Sequence, residues 1–440
     1  MAHRVLLAAT LLLCINFAWG SHANEEELIK YLYKDDYTKF LSPAGTKNPN
    51  VTVNGVPYNG TGSPVVVNVN LFVRYIGEIN DENKDYKLQL TLRQSWTDER
   101  LKYTKQIDGQ DYVLLTDPSK IWVPDLFFSN EKEGHDHQLM TANNLIRIGP
   151  DGSVMYSTRV SLKLSCPMDF TNFPMDKQTC SVRMASYAHT TKDLIFVWKS
   201  EKPVELPQNV DPSPYLLQGI GTDYCFSKTN TGEYSCIKAE FLLKREIFNY
   251  LMHAYLPLGL LVLVSWIIFW LDERATGVRV IVAVVTFIAT IFEGSRVASL
   301  APHASDTKGI DAWVNWTLFF VFFALVEQVV VILIGTNAIS TRKLAAEDEE
   351  GGVALPLMEN GEKSADAGEV REAAAATTEP PQNLVSKWLS RYKTVARRID
   401  IVARILFPVV FLLFNLTYWS SYADYEGIDT LSTYTKIAYN

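Results

Sequence analysis

The chain begins with a polar region and ends in long apolar runs, and the two parts carry different periodicities. Every second residue is apolar in segments 87–93 and 160–165, and turn signals such as Pro150-Asp151-Gly152 separate these runs. An alternation of period two is typical of strands that bury one face. Many short strands of this kind predict an antiparallel β-sandwich over residues 24–249.

Four later segments are apolar enough to cross a membrane. They are Phe248–Leu271, Arg279–Leu300, Ala312–Ile334 and Ile405–Tyr422. We therefore predict three transmembrane helices within 250–334, with the second at about 278–300, and a fourth at 399–422. The second is the most interrupted, since Arg279 and Glu293 bracket its apolar run, which suits a helix with one face on water.

The N-terminus is typical of a secretory signal. Arg4 precedes the apolar stretch Val5–Cys14, and small residues follow as far as Ala23. A first membrane helix is the alternative, but this apolar core is short for one. With residues 1–23 as signal peptide, four crossings place both the sandwich and the tail 423–440 outside a plasma membrane. The basic residues beside the inner loops agree with that orientation.

The connection between the third and fourth apolar segments, residues 335–398, is expected to be intracellular. Its part 345–381 is rich in Glu, Ala and Gly, which predicts disorder. Segment 385–400 is basic and amphipathic and predicts a helix. Two glycosylation sequons, at Asn50 and Asn59, lie in the predicted extracellular region.

Charge and cysteine usage exclude several classes. The net charge is −8, from 41 basic and 49 acidic residues, which argues against a nucleic-acid partner. No nucleophile elbow, metal-ligand cluster or phosphate loop is visible, so neither an enzyme nor a cofactor is expected. Without Cys14, the cysteines form two close pairs, Cys166/Cys180 and Cys225/Cys236, which predicts disulfides. A zinc site is the alternative, although no C-x-x-C spacing is present.

The segment between the first cysteine pair resembles the signature loop of the pentameric Cys-loop ligand-gated ion channels. It carries Phe173-Pro174-Met175-Asp176 at its centre, and the stretch 122–128 resembles another family segment. The second cysteine pair is similar to the extra disulfide of glycine and glutamate-gated chloride channels. The resemblance implies a homo- or heteropentamer in the lipid bilayer. A small extracellular ligand would bind at subunit interfaces, and ions would permeate along the second helix.

One stripe of that second helix is predicted to face the pore. Its residues recur at intervals of 4, 3, 4, 3 and 4, which keeps them on one helical face: Ile281, Val285, Ile288, Phe292, Ser295 and Ser299. The predicted throat is unusually apolar, with Ile288 as the gate and Phe292 narrowing the pore above it. The alternative is that these residues pack on neighbouring helices or lipid.

Selectivity rests on the predicted inner mouth, Gly277, Val278 and Arg279. Related anion channels have Pro-Ala-Arg there, and cation channels place Glu where Val278 stands, so anions are weakly favoured. Asp272, Glu273 or Glu293 would favour cations if they faced the lumen. For Glu293 the alternative is an ion pair between subunits, with Arg296 as the candidate partner. A cation-permeable channel and a poorly conducting accessory subunit stay open as alternatives.

The resemblance also implies a ligand site built from aromatic and hydroxyl side chains around one arginine. Its members would be Tyr187, Tyr234, Phe127, Phe128, Arg93, Ser157 and Thr231. Arg93 would hold a ligand carboxylate, and the aromatic residues a cation. Thr229, Thr91 and Ala185 depart from the family pattern, which predicts a ligand that is larger, less cationic or carboxylate-bearing, rather than glycine or glutamate. A degenerate site is the alternative.

Two further expectations concern coupling and metal. The tip Phe173-Pro174 is predicted to rest on the connection near Pro302, and Arg245 to pair with acids of the overlying loops. For Arg245 the alternative is that its side chain reaches lipid headgroups. His135 and His137 share one strand face, as i and i+2 residues do, and resemble a zinc-binding His-x-His pair. Two ligands alone are a weak signal, and solvated histidines are the alternative.

Overall fold

A computed structural model of the 440-residue chain describes the following residues: 37–45, 52–53, 56–57, 63–104, 111–207, 210, 212–225, 227–272, 274–303, 307–350, 394–423 and 435–436. The predicted signal peptide, the sequons at Asn50 and Asn59, and residues 351–393 lie outside this range. The chain divides into two compact units. One comprises Met1–Glu246 with Glu426–Asn440, and the other Ile247–Tyr425.

The first unit is built of strands, which follow the alternation in the sequence. They are β1 (Thr52–Val53), β2 (Val56–Pro57), β3 (Val65–Asn80), β4 (Asp85–Thr97), β5 (Val113–Leu115), β6 (Leu126–Phe128), β7 (Glu131–Asp136), β8 (Asn144–Ile148), β9 (Ser153–Ser165), β10 (Lys177–Thr190), β11 (Leu194–Trp198), β12 (Val204–Glu205), β13 (Tyr215–Tyr224), β14 (Ser227–Thr229), β15 (Gly232–Arg245) and β16 (Thr435–Lys436). Short 3₁₀ turns lie at Glu99–Leu101 and Pro118–Lys120.

These strands form two large sheets and one two-stranded ribbon, β1–β2. One sheet has the order β11-β3-β4-β9-β8-β5, with β12 beside β3 and β7 beside β9. The other has the order β16-β13-β15-β10-β6, with β14 beside β15. Pairing is antiparallel except that β11 and β12 run parallel to β3. The predicted β-sandwich is confirmed, and its interior holds residues such as Val67, Leu90 and Phe241, each fully buried.

Both predicted disulfides are formed in this unit. Cys166 and Cys180 join the end of β9 to β10, with their Cα atoms 5.0 Å apart. Cys225 and Cys236 close the hairpin that leads from β13 through β14 into β15, at 4.9 Å. Cross-links of this kind stabilise the fold chiefly by restricting the unfolded chain.

In the described part of the second unit, four helices are long and apolar enough to span a membrane. They are α1 (Phe248–Trp270), α2 (Thr276–Leu300), α3 (Gly309–Glu350) and α4 (Val395–Ala423). Aromatic side chains join them: the Trp313 ring of α3 lies 5.1 Å from Tyr255 of α1 and 5.5 Å from Phe414 of α4. The Tyr255 and Tyr418 hydroxyls are 2.8 Å apart, which satisfies two polar groups in an apolar setting.

Two predicted boundaries need correction. Helix α3 continues through Glu350, so the predicted disorder does not hold for residues 345–350. The physical reason is composition, since Leu, Ala and Glu in Leu344–Glu347 are strong helix formers. Helix α4 begins at Val395 and runs to Ala423 without a break at the predicted boundary near 399. The part of the amphipathic segment from Val395 onward is therefore continuous with the fourth membrane helix.

Candidate ligand site and pore

An aromatic pair marks the first half of the candidate ligand site. Tyr187, near the end of β10, is 77% exposed, which is unusual for a large aromatic side chain. Its ring lies edge-on to Phe127 of β6, with 5.7 Å between centroids. Strand pairing brings them together, because Ala185 of β10 lies opposite Phe127. The pair offers aromatic surface to an incoming molecule.

The backbone beside Tyr187 is held by Asp125. The Ser186 hydroxyl donates to one carboxylate oxygen of Asp125 at 2.8 Å, and the Ala188 amide donates to the other at 2.6 Å. Ser186 and Ala188 are the two neighbours of Tyr187, so both sides of the tyrosine are anchored. This arrangement fixes the backbone from which the exposed Tyr187 ring projects.

The disulfide-closed hairpin contributes hydroxyl groups to the same sheet. The Tyr234 and Thr231 hydroxyls are 2.8 Å apart, and Thr231 is 2.8 Å from the hydroxyl of Thr229. Thr231 and Thr229 are exposed, whereas Tyr234 is half-buried. The hairpin thus presents a row of hydroxyl groups that can accept or donate hydrogen bonds.

The second half of the candidate site lies on the other sheet. Arg93 of β4 is paired with Ser157 of β9, and its side chain is 36% exposed. Its Nη1 donates to both carboxylate oxygens of Glu205, at 3.2 and 3.3 Å, and to Asn70 Oδ1 at 3.1 Å. Among the described residues, none accepts from Nε or Nη2. The guanidinium therefore retains an edge suited to a carboxylate.

A second arginine, which sequence reasoning missed, lies beside the first. The Arg74 guanidinium is 5.2 Å from the centroid of the Phe72 ring, and that of Arg93 is 5.7 Å from the same ring. The hydrogen bond that the described part of the chain gives Arg74 goes to the Thr91 hydroxyl, at 2.8 Å. The alternation Leu71-Phe72-Val73-Arg74 was the available signal, because it places Arg74 on the outer face of β3 with Phe72.

In the second unit, α2 exposes the predicted stripe. Ile281, Val285, Ile288 and Phe292 are between 46% and 72% exposed, and Ser295 and Ser299 are exposed as well. The opposite face of α2 is buried against its neighbours, with Ala283, Thr286 and Thr290 at 1–4% exposure. The helix therefore has a packed side and an apolar free side.

Comparison with known proteins identifies the family. The model of the neurotransmitter-gated ion-channel ligand-binding domain matches residues 25–247, and that of the transmembrane region matches residues 254–354. The chain belongs to the neurotransmitter-gated ion channels. It is also 41% identical, over 415 residues, to the glutamate-gated chloride channel of Drosophila melanogaster. The aligned region covers 88% of this chain and 91% of the relative.

Membership settles several expectations. The chain is a ligand-gated channel subunit and no enzyme, a multi-pass protein of the plasma membrane with an extracellular N-terminal domain. Members of this family bind small ligands and assemble as pentamers. The sandwich is accordingly the ligand-binding domain of this channel subunit, and α1–α4 are its membrane domain.

Within this ligand-gated channel subunit, two adjacent phenylalanines of β6 differ in their exposure to solvent. Phe127 is exposed beside Tyr187, whereas Phe128 is 8% exposed and belongs to the core of the sandwich. Neighbouring residues of a strand point to opposite faces, so only one of the two can meet a ligand. The expectation that Phe128 contributes to the ligand site is wrong.

The inner-mouth expectation also needs correction at Arg279. Its side chain is fully buried, and Nη1 donates to Asp400 of α4 at 3.3 Å, while Nη2 also contacts that carboxylate. Arg279 lies on the packed face of α2, four residues before Ala283, and so points away from the stripe that begins at Ile281. Val278 is 53% exposed and Gly277 is exposed. Arg279 therefore serves the packing of one subunit.

Two acids near α2 have defined partners or surroundings. Glu293 forms an ion pair with Arg296 of the same helix, so no second subunit is needed for that pair. Glu327 of α3 has carboxylate oxygens that are shielded from solvent and have no hydrogen-bond partner among the described residues. Asp272, just before α2, is exposed, and Glu273 lies outside the described residues.

Arg245, at the end of β15, is the centre of a buried cluster within the ligand-binding domain. It donates to Asp176 at 2.7 Å and to Asp81 at 2.7 Å, and its guanidinium is 4.7 Å from the centroid of the Phe173 ring. Burial would lower the pKa of Arg245, but hydrogen bonds to the two aspartates outweigh it and raise that pKa. Phe173 is fully buried, and the expectation that the Phe173-Pro174 tip rests on the connection near Pro302 stays a prediction.

The histidine pair lies on the sheet that carries Arg93. The His135 and His137 rings are 5.5 Å apart, and His137 Nε2 is 2.8 Å from the Ser161 hydroxyl and 3.2 Å from Gln89 Nε2. Burial lowers the pKa of His137, and nearby Arg159 lowers it further. In the described part of the chain, no group of three or more potential metal ligands occurs.

Proposed function

We propose that this subunit forms a pentameric, anion-permeable channel that opens when a small amino dicarboxylate of the glutamate class binds between neighbouring subunits. The observation that carries the proposal is the pair of guanidinium groups, Arg74 and Arg93, on one exposed sheet face. A planar guanidinium binds a carboxylate through two parallel hydrogen bonds. Two of them suit a ligand with two carboxylates.

The division of the site between two sheets supports an interface location. Tyr187 and Tyr234 belong to the sheet of β10 and β15, and Arg93 and Ser157 to that of β4 and β9. The two sheets of a sandwich pack face to face, so their outer faces point in opposite directions, and the halves of one subunit cannot enclose one small molecule. In a pentamer, the aromatic half of one subunit would meet the arginine half of the next.

Each half would then contribute a different interaction. The exposed aromatic faces of Tyr187 and Phe127 would hold the ligand ammonium by a cation–π interaction. The hydroxyl groups of Thr231, Tyr234 and Ser157 would bind carboxylate oxygens that the arginines leave free. The identity shared with a glutamate-gated chloride channel points to the same ligand class. The departures at Thr229, Thr91 and Ala185 argued against glutamate from the sequence alone, but Thr91 and Ala185 are buried, and the second guanidinium, Arg74, now favours the glutamate class.

Anion selectivity would come from the inner end of α2 without a charged side chain in the lumen. The helix begins at Thr276, and Gly277 has open space around its Cα, so backbone amides are accessible there. Helix N-termini carry partial positive charge and attract anions. The exposed stripe holds no acid. Five such helix ends around one axis would favour chloride over sodium.

The apolar stripe would form the gate. Rings of Ile288 and Phe292 would exclude water in the resting channel, because a narrow hydrophobic passage dewets. Ligand binding would stabilise a second arrangement of the subunits in which these rings are farther apart. The Arg245 cluster would hold the Cys166–Cys180 loop to the strand that leads into α1, and so transmit the change.

Expression of the full chain in oocytes tests this function. Glutamate should evoke a current whose reversal potential follows the chloride gradient, and Arg93→Gln should raise the half-activating concentration at least tenfold, since hydrogen bonds to charged groups contribute about 1.5–3 kcal/mol. Arg183→Gln, an exposed arginine on β10, is the matched control. If the wild type reached the cell surface but no amino acid evoked a current, the result would instead support a poorly conducting accessory subunit.

A further inference from the structure

The chain supplies a carboxylate of its own to the ligand-binding arginine. Glu205 accepts from Arg93 Nη1 through both oxygens, at 3.2 and 3.3 Å, and from Asn70 Nδ2 at 3.1 Å. The side chain of Glu205 is 29% exposed, and that of Arg93 36%. An internal acid therefore occupies part of the guanidinium to which a ligand carboxylate would bind.

Backbone contacts place Glu205 there. Strand β12 runs parallel to β3, with Glu205 opposite Phe72. Asn70 Nδ2 donates to the Lys202 carbonyl at 2.7 Å, and the Leu71 amide donates to the Pro203 carbonyl at 2.9 Å. The segment before Glu205 is thus tied to the sheet independently of the Glu205 charge, and removal of that charge would leave the tie in place.

The Arg93–Glu205 ion pair is too exposed to contribute much to the stability of the fold. Ion pairs with this degree of exposure typically contribute only about 0.2–1 kcal/mol to the free energy of unfolding. That changes the folding equilibrium constant by roughly fivefold at most. Arg74, on the other side of Phe72, has a neutral partner, the Thr91 hydroxyl. The two arginines therefore differ: the charge of Arg74 is unopposed among the described residues, whereas that of Arg93 is partly neutralised.

We infer that Glu205 is a specificity-determining residue that competes with a ligand carboxylate for Arg93. This inference rests on the proposed function and deepens it. A ligand with one carboxylate can bind at Arg74 without disturbing the Arg93–Glu205 pair. A dicarboxylate must also reach Arg93, against the negative charge of Glu205. Glu205 thereby lowers the affinity for dicarboxylates and narrows their advantage over monocarboxylates.

The first test measures agonist sensitivity of Glu205→Gln channels. The amide keeps an acceptor for Asn70 and Arg93 but removes the charge. The half-activating concentration of glutamate should fall about two- to fivefold, and less so at high ionic strength. Glu201→Gln, an exposed acid four residues earlier, is the matched control and should leave it unchanged. An unchanged or higher value in Glu205→Gln, with normal surface expression, would overturn the inference.

The second test does not depend on the agonist. Ser95 lies two residues beyond Arg93 on the same face of β4 and is half-buried. In a purified Ser95→Cys channel, mass spectrometry would compare labelling rates for an anionic and a cationic thiol reagent. Adding Glu205→Gln should raise the anionic-to-cationic ratio about two- to fivefold. Adding Glu201→Gln instead should change it little.

The two tests separate the inference from the function on which it rests. If glutamate does not open the wild type, the proposed function fails, and the labelling ratio still decides whether Glu205 sets the potential at Arg93. If glutamate opens the wild type but the labelling ratio is unchanged by Glu205→Gln, the inference fails while the function stands.

Discussion

Arg93 in the ligand-binding domain and Arg279 in the membrane domain were both expected to act on anions, yet their surroundings differ completely. Arg93 is 36% exposed and shares one nitrogen with Glu205. Arg279 is fully buried, and its Nη1 and Nη2 both contact Asp400. An arginine can bind a passing anion only where its guanidinium is accessible. The first arginine is therefore suited to recognition and the second to assembly of one subunit.

The energetics of the two pairs differ accordingly. A half-exposed pair is screened by water, so its partner can be exchanged at low cost. Removing one member of a buried pair leaves an uncompensated charge, which costs about 3–5 kcal/mol. Substitutions at the two arginines should thus separate into effects on ligand sensitivity and effects on the amount of folded channel.

The largest effect is expected at the buried pair. Asp400→Asn and Arg279→Gln should each abolish most surface expression, since about 3–5 kcal/mol is a large part of the stability of a domain. Surface biotinylation and size-exclusion chromatography would measure it. Asp272→Asn is the matched control, because this acid just before α2 is exposed, and it should express well. Normal expression of Asp400→Asn would show that the pair is dispensable.

A smaller effect, confined to ligand sensitivity, is expected at Arg74. Arg74→Gln should raise the half-activating glutamate concentration about ten- to hundredfold, since a charge-assisted contact of about 1.5–3 kcal/mol is lost. Surface expression should not change, because the partner left behind is the Thr91 hydroxyl. Concentration–response curves at matched surface levels would measure it.

Arg74→Lys keeps the charge and removes the planar fork, so it should lie between Arg74→Gln and the wild type. If Arg74→Gln lowered expression and left glutamate sensitivity unchanged, Arg74 would have a structural role like that of Arg279. The proposed role of the exposed arginines in ligand recognition would then be contradicted.

Much of the fold followed from periodicity. Alternation at 87–93 places Leu88 and Leu90 in the core and Arg93 outside, which is what the structure shows. The helical extension to Glu350 was missed because a segment rich in Glu, Ala and Gly is compatible with either disorder or helix. Composition alone cannot distinguish these when neighbouring structure extends a helix that has already been nucleated.

The site was less predictable, because partners distant in sequence decide what each residue does. Arg279 and Asp400 are 121 positions apart, and Arg93 and Glu205 are 112 apart. Short-range patterns carry no information about such pairs. Arg74 was accessible to sequence reasoning through its alternation with Phe72, whereas its position beside Arg93 depends on the pairing of β3 with β4.

The two faces of α2 extend the comparison to uncharged residues. Ile288→Thr, on the exposed stripe, should raise the resting current, because a hydroxyl group favours water in a narrow apolar passage. Voltage clamp without agonist would measure it. Val280→Thr is the control, since Val280 is 43% exposed but lies about 80° around the helix from Ile288. Equal leak in both variants would contradict a gate specific to the stripe.

The smallest effect is expected at His135 and His137, on the sheet that carries Arg93. The lowered pKa of His137 keeps its ring neutral at pH 7.4, the form that binds a metal. Micromolar zinc should therefore shift glutamate sensitivity by at most about fivefold, the low end of allosteric coupling, because two ligands hold zinc weakly. His135→Ala should abolish the shift, and His253→Ala should not. The effect should persist at neutral pH and weaken as the pH falls, because protons displace the metal from the histidine rings. A zinc shift that survives in His135→Ala would place the metal elsewhere.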